Sequence, residues 1–212
     1  METGLLSRIC LGGLAFLILW YLLVRRFRHR HPFPIPYFLV PLIDNPLRRA
    51  AQPPRLTIER LGLRAGMQVL EIGPGRGTYT LAAARLVGPL GSVIALEIDP
   101  RITERLKRRV TAEQILNIRV VQGDAQELDF ENASFDALFL ITVMGEIPDP
   151  ARALSEFRRV LKPGGTLGLS ELLLDPDYEP PERVIERCRE AGFVLIERSG
   201  NWMHYNLVFQ KP

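Results

Sequence analysis

From Leu56 onward the chain alternates short apolar runs with longer stretches that mix apolar and charged positions at helical spacing. The apolar runs 68–72, 92–98, 118–122, 137–142 and 166–170 have strand length and lie between helix-like segments. Asp99-Pro100 and the stretch opening at Pro150 carry helix-start signals, and predicted helices cover 78–86, 100–110, 150–161 and about 181–191. Lys162-Pro163-Gly164-Gly165 reads as a turn before the fifth strand. Strands separated by helices imply parallel pairing through right-handed crossovers. Two further strands, 193–198 and 206–210, are separated by seven residues. That is too few for a helical crossover, so they are expected to be antiparallel. The predicted fold is α/β: a doubly wound, mostly parallel seven-stranded sheet with a carboxyl-terminal antiparallel pair.

The amino terminus follows a different pattern. Residues 5–24, LLSRICLGGLAFLILWYLLV, are apolar except for Ser7 and Arg8. As a helix at roughly 1.5 Å per residue the run would span one hydrocarbon thickness, with Trp20 and Tyr21 near one interface. A cleaved signal peptide would end at a small-residue site, whereas this run ends in RRFRHR. An uncleaved anchor, transmembrane or membrane-embedded, is therefore favoured over a signal peptide or a buried core helix. Residues 25–55 form a basic and then proline-rich apolar segment with prolines at 32, 34, 36, 41, 46, 53 and 54. Such proline density predicts an extended strap with at most short turns, packed on the domain or lying in the membrane interface. The expected units are 1–24, 25–55 and 56–212.

Charge separates the same units. The 212 residues sum to +3, with a sequence pI near 9.1. Residues 1–55 carry eight arginines against Glu2 and Asp44, a net of +6, which leaves −3 on the remainder. The basic cluster after the apolar run predicts contact of residues 5–30 with anionic lipid, and a catalytic domain on the cytoplasmic side. A short anchor also favours self-association. Nucleic acid is not an expected partner, because the core is acidic and the basic run lacks interleaved stacking aromatics. Cys10 and Cys188 stand 178 positions apart with only three histidines in the chain. Neither a disulfide framework nor a cysteine–histidine metal site is available, and no metal is expected.

Candidate chemistry gathers at successive strand ends. Glu71-Ile72-Gly73-Pro74-Gly75-Arg76-Gly77 follows the first strand, where a tight turn exposes backbone to a ligand. Counting from Gly73, the third glycine of a dinucleotide fingerprint would fall on Thr78, so that motif is broken; no phosphate-cradling lysine follows either. Glu97 ends the second strand 20 residues beyond Gly77, where a carboxylate can accept both hydroxyls of a ribose. Asp124 follows the third strand, placed to accept from an adenine amino group.

VLEIGPGRG, ALEID, QGDAQEL, FDALFLITVMGEI and LKPGGTL, in that order, resemble the class I S-adenosylmethionine-dependent methyltransferases, nearest in flavour to the quinone, lipid and small-molecule branch. The resemblance covers residues 56–212. It implies that Glu71, Gly73, Gly75 and Gly77 border the methionine part of S-adenosyl-L-methionine. Glu97 would hold the ribose, Asp124 and Ala125 the adenine, and backbone near Ile141 and Thr142 the amino-acid end.

Methyl transfer from a sulfonium is driven by its leaving group, so the protein mainly aligns the reactants and excludes water. A general base is needed only for a protonated acceptor. Glu146 and His204 are the candidates for that role, with Glu171 and Tyr178 as candidate substrate contacts. Few residues follow the fifth strand before the next helix, so cover for the acceptor must come from the 31–55 strap. The expectation is a membrane-anchored enzyme that methylates a small lipophilic acceptor entering from lipid. Removal of residues 1–55 would then harm acceptor turnover far more than cofactor binding. A protein acceptor, or a catalytically inactive cofactor-binding membrane partner, are the alternatives.

Overall fold

Two apolar faces of one sheet organise the chain. In the computed structural model, which describes residues 13, 16, 19–28, 30–39 and 44–212, seven strands form a single sheet. They are β1 (Gln68–Ile72), β2 (Ser92–Glu97), β3 (Ile118–Gln122), β4 (Phe135–Ile141), β5 (Leu161–Leu172), β6 (Val194–Gly200) and β7 (His204–Gln210). Their order is β3-β2-β1-β4-β5-β7-β6. Pairing is parallel through β5, and β7 runs antiparallel to both β5 and β6. The strand order reverses between β1 and β4, where an α/β sheet opens a crevice at its carboxyl edge.

Strand periodicity explains why both faces are filled. In β4, Leu138 and Leu140 enter one core cluster while Ala137, Phe139 and Ile141 enter the other. Alternate residues of a strand point to opposite faces, and a parallel sheet covered on both sides needs apolar residues at each. Phe139 and Leu138 are completely buried. Burial of each such side chain contributes roughly 1.5–3 kcal/mol.

From residue 46 onward the α-helices are α1 (Pro46–Ala51), α2 (Pro54–Arg60), α3 (Thr78–Val87), α4 (Pro100–Ala112), α5 (Pro150–Val160) and α6 (Pro181–Glu190). Five of them begin on proline, with Asn45, Asp99 and Asp149 as side-chain caps of α1, α4 and α5. Proline at the first helical position gives up only an N–H that has no helical partner. This corrects the expectation of an extended 31–55 strap, since Pro46 and Pro54 start helices. It also moves the domain boundary forward. Gln52 is fully buried, its Nε2 donates to Ser170 Oγ at 3.0 Å, and Tyr79 Oη donates to its carbonyl at 3.1 Å. Residues 44–55 are thus part of the folded unit.

The expected 162–165 turn lies within β5 as an irregular bulge with three extra residues. Phe135 and Ala137 of β4 face Leu161 and Thr166, so five steps on one strand oppose two on the other. Gly164, at φ +77°, turns the chain there, and its N–H donates to Lys211 O at 2.8 Å.

The proposed anchor falls largely on residues outside those described. Residues 19–28 are helical, and among the described residues no helix is long and apolar enough to cross a membrane. One face of this helix docks on the segment after β5. Tyr21 Oη donates to Leu173 O at 3.3 Å, and Arg28 Nε lies 2.6 Å from both carboxylate oxygens of Asp177. Arg28 also donates to Phe33 O at 2.8 Å and stacks over the Phe33 ring. Arg28 is therefore buried in an internal ion pair, and Arg25 donates to the carbonyls of Leu173 and Tyr178. Two of the four arginines expected to face lipid are engaged by the protein itself.

Candidate functional site

A cavity of about 260 Å³ opens at the carboxyl edge of β1, β2, β3 and β4. The sequence explains how its walls converge there. Gly73 (φ +67°) turns the chain sharply off β1, and a Cβ on it would lie 2.6 Å from Val143 Cγ2. The backbone of the loop can therefore pass close against the end of β4 only as glycine. Gly73 N–H donates to Leu96 O, which ties the loop to β2.

Glu71, Gly73, Gly75, Glu97, Asp124, Ala125, Ile141, Thr142 and Glu146, all singled out from sequence, line this one cavity. Gly77 does not. It occupies the left-handed position that precedes α3 (φ +81°), and a Cβ there would collide with Leu106 Cδ1. Its function is helix entry and close packing on α4.

Three carboxylates define the polar side. Glu71 is buried, and its Oε2 has no hydrogen-bond partner. Burial pushes its pKa up to about 8, with the nearby Glu97 charge adding and the Thr80 hydroxyl opposing. Glu97 is also raised by burial, against N–H donors from Asp99, Gly75 and Ile98. Asp124 is fixed by Gln126, whose N–H donates to Oδ1 at 2.8 Å and whose side-chain amide reaches both oxygens at 3.1 Å.

Thr142 sits at the reversal point with φ +53°, a conformation that β-branched residues rarely adopt. Strain of about 1–3 kcal/mol persists only where surroundings enforce it. Here Thr142 N–H donates to Ser170 O at 2.8 Å, and its hydroxyl accepts from Arg48 Nη2. On the opposite wall, Ile35 N–H donates to Glu146 Oε2 at 2.9 Å. Burial raises Glu146 well above the ordinary carboxylate range; the Asp175 and Asp177 charges add, while the Ile35 amide and Arg28 oppose.

Three expected residues lie elsewhere. Strand parity puts Glu171 beside Leu167 and Leu169 in β5, across the sheet from Glu71 and Ile141. Glu171 is buried outside the cavity lining and pushed well above its usual range by burial, with Asp175 and Glu179 adding. Tyr178 packs edge-on against Tyr205 under Arg25. His204 pairs with Leu172 at the start of β7; burial and the Arg60 charge lower its pKa, and no part of it lines the cavity. The β6–β7 turn does face the carboxyl edge, but two strands beyond β4, too far for His204 to reach the reversal point.

The 31–55 segment was expected to cover the acceptor, but none of its residues was singled out as a wall. Pro34, Ile35, Asp44 and Arg48 line the cavity, as does Tyr79 of α3. Asp44 accepts from Thr78 Oγ1 at 2.7 Å and from Arg49 Nε at 2.9 Å. The signal available was Asn45-Pro46, a helix cap followed by its first residue, which would have marked Arg48 and Arg49 as helical.

The fold is the one seen in solved S-adenosylmethionine-dependent methyltransferases. Residues 70–169 match the family model described as a methyltransferase domain. Curated demethylmenaquinone methyltransferases of Staphylococcus aureus are 37% identical over 105 residues, 50% of this chain and 43% of theirs. The chain thus spans less than half the length of the curated relatives it matches. An S-adenosylmethionine-dependent methyltransferase from Aquifex aeolicus superposes with a TM-score of 0.79 at 19% identity, covering 84% of this chain and 100% of that one. The cyclase SpnF superposes with a TM-score of 0.70 at 19% identity, covering 78% of this chain and 82% of that one. At these identities the structural likeness establishes the fold.

The residues present fit S-adenosylmethionine. Glu97 offers acceptors for a ribose diol, Asp124 an acceptor for an adenine amino group, and the orphaned Glu71 Oε2 an acceptor for an ammonium. Ile72, Leu96 and Ile102 supply apolar wall between them.

Proposed function

We propose that the chain is an S-adenosylmethionine-dependent methyltransferase that acts on a small lipophilic acceptor at a membrane surface. The observation that carries this reading is the shared cavity: carboxylates from three successive strand ends on one side, and Pro34, Ile35, Val143 and Ile147 on the other. When bound, the cofactor supplies an electrophilic methyl on a sulfonium. The protein's part is to hold that group at the β1–β4 crevice, set the acceptor in line, and exclude water. Pro34 and Ile35 close the side that the short connection after β5 leaves uncovered.

Glu146 is the group placed to take a proton from a hydroxylated acceptor. Its Oε2 is held by the strap's Ile35 amide, and the residue lines the acceptor side of the cavity. Support for a lipophilic acceptor also comes from the name of the Staphylococcus relatives, which denotes a quinone. Membrane placement draws on the outward face of the amino-terminal helix, where Phe16, Leu19, Trp20, Leu23 and Phe27 are more than half exposed at helical spacing. With residues 5–24 inserted, the catalytic domain would stand on the cytoplasmic side.

The test is incubation of the full chain with methyl-labelled S-adenosylmethionine and a membrane extract, followed by mass identification of labelled products. Label in a lipid-soluble small molecule is expected. Label confined to protein or to water-soluble compounds would overturn the assignment of acceptor.

A further inference from the structure

We infer that Arg48, on the short helix α1, binds the carboxylate of the cofactor's amino-acid end, making residues 44–52 part of the cofactor site. This rests on the proposed use of S-adenosylmethionine and assigns the cation to a residue outside the strand-end motifs.

The charge inventory of the cavity motivates it. Five carboxylates line the cavity, those of Asp44, Glu71, Glu97, Asp124 and Glu146, against two guanidinium groups, Arg48 and Arg76. A zwitterionic amino-acid group needs an anion for its ammonium and a cation for its carboxylate, and an unpaired carboxylate would meet a field of like charge. Glu71, with Oε2 unpartnered at the end of β1, answers the first need. Arg48 answers the second. Its guanidinium contacts the Thr142 hydroxyl at the end of β4, and β4 is the strand that pairs with β1. Adjacent strands lie roughly 4.8 Å apart. Both charges of one amino-acid group can therefore be met across the reversal point.

Arg48 has donor capacity to spare. Its Nε is buried without a hydrogen-bond partner, and its nearest carboxylate, Asp175 Oδ2, is 4.0 Å from Nη1, longer than a contact ion pair. Asp175 Oδ1 meanwhile accepts from Asp177 N–H at 3.1 Å. The Arg48 side chain is 12% exposed, held by the Asn45-capped turn of α1 and beside Tyr79. Arg76 lies in the loop after β1 within electrostatic reach of Asp44, whose carboxylate is paired with Arg49 at 2.9 Å. A rigid guanidinium fork, fixed before the ligand arrives, suits a carboxylate better than a flexible amine.

The test compares two ligands that cannot turn over. S-adenosylhomocysteine carries the amino-acid group, whereas 5′-methylthioadenosine lacks it. Calorimetric titration of the full chain and of Arg48→Met should show S-adenosylhomocysteine weakened roughly 10- to 100-fold, the range for hydrogen bonds to a charged group. Binding of 5′-methylthioadenosine should change less than about twofold, which also reports that the adenosine side is folded. Arg48→Lys should recover part of the loss. Equal weakening of both ligands, or no weakening of either, would overturn the inference while leaving the cofactor assignment in place. Failure of the unaltered chain to bind either ligand would overturn both.

Discussion

The buried pair between Arg28 and Asp177 couples the amino-terminal helix to the cavity, and cutting it should open the acceptor side first. The two side chains are 8% and 3% exposed, and the contact is doubled, with Nε 2.6 Å from each carboxylate oxygen. Removing one partner of a buried pair costs about 3–5 kcal/mol, because the other charge remains desolvated. Arg28→Met additionally loses the bond to Phe33 O and the stacking on the Phe33 ring, whereas Asp177→Asn retains a polar acceptor. The stretch from Phe33 to Ile35 follows directly, and the Ile35 amide is donated to Glu146. Hydrogen exchange at Ile35 therefore reports docking of the strap. A loss of 3 kcal/mol corresponds to about a hundredfold faster exchange there, since 1.4 kcal/mol is a factor of ten. Amides of β1 and β4, buried in the sheet, should keep their protection. A cycle of Arg28→Met, Asp177→Asn and the double variant should give a double loss smaller than the sum of the singles. Unchanged exchange at Ile35 in Arg28→Met, or strictly additive losses, would refute the coupling.

Burial raises the Glu71 pKa to about 8, and two pH effects follow. A carboxyl whose folded pKa exceeds its unfolded value stabilises the fold fully below the unfolded value and loses that contribution as pH rises through 8, so thermal midpoints should fall from pH 6 to pH 9, and Glu71→Gln should flatten the decline. Near pH 7, ammonium binding at an ionised Glu71 should release a proton, seen as a dependence of calorimetric heat on buffer ionisation enthalpy; Glu71→Gln should abolish it. Gly73→Ala should destabilise by roughly 1–3 kcal/mol through strain at φ +67° and collision with Val143, measured by urea unfolding. Flotation with anionic vesicles should carry the full chain upward, and replacing the exposed Trp20 and Phe27 by serine should reduce the floating fraction.

The sheet was legible because strand periodicity is a local property of sequence. FDALFLI alternates between two faces that are both apolar, and the three strand-end carboxylates announce themselves by spacing. Proline meaning is positional rather than compositional, and that is where legibility stopped. Pro46 and Pro54 open helices, whereas the prolines at 32, 34 and 36 lie in a stretch without regular structure; counting prolines cannot separate the two. Parity explains Glu171: one residue along β5 changes its face, and the end of that strand could not be fixed to one residue from sequence. Arg48 was hidden for a different reason. Its contacts with Thr142 and Asp175 join residues separated by about a hundred positions, and no local pattern marks the far partner.

Those long-range contacts change what the amino-terminal segment is expected to do. Its removal was expected to harm the acceptor far more than the cofactor. Yet one continuous stretch meets both: Ile35 holds Glu146, Asp44 accepts from Thr78 at the start of α3, Arg48 holds Thr142, and Gln52 holds Ser170. Loss of residues 1–55 would therefore remove walls from both ends of the cavity. A narrower cut separates the roles, because α1 is anchored by its own bonds to Ser170 and Tyr79, independent of Arg28. Deleting residues 1–30 removes the outward apolar face and the Arg28 pair but leaves Asp44, Arg48 and Gln52. If the two ends are separable, that variant keeps S-adenosylhomocysteine affinity within about threefold, below one factor of ten or 1.4 kcal/mol, and loses membrane association. A comparable loss of both would mean that docking of the amino-terminal helix also sets the position of Arg48.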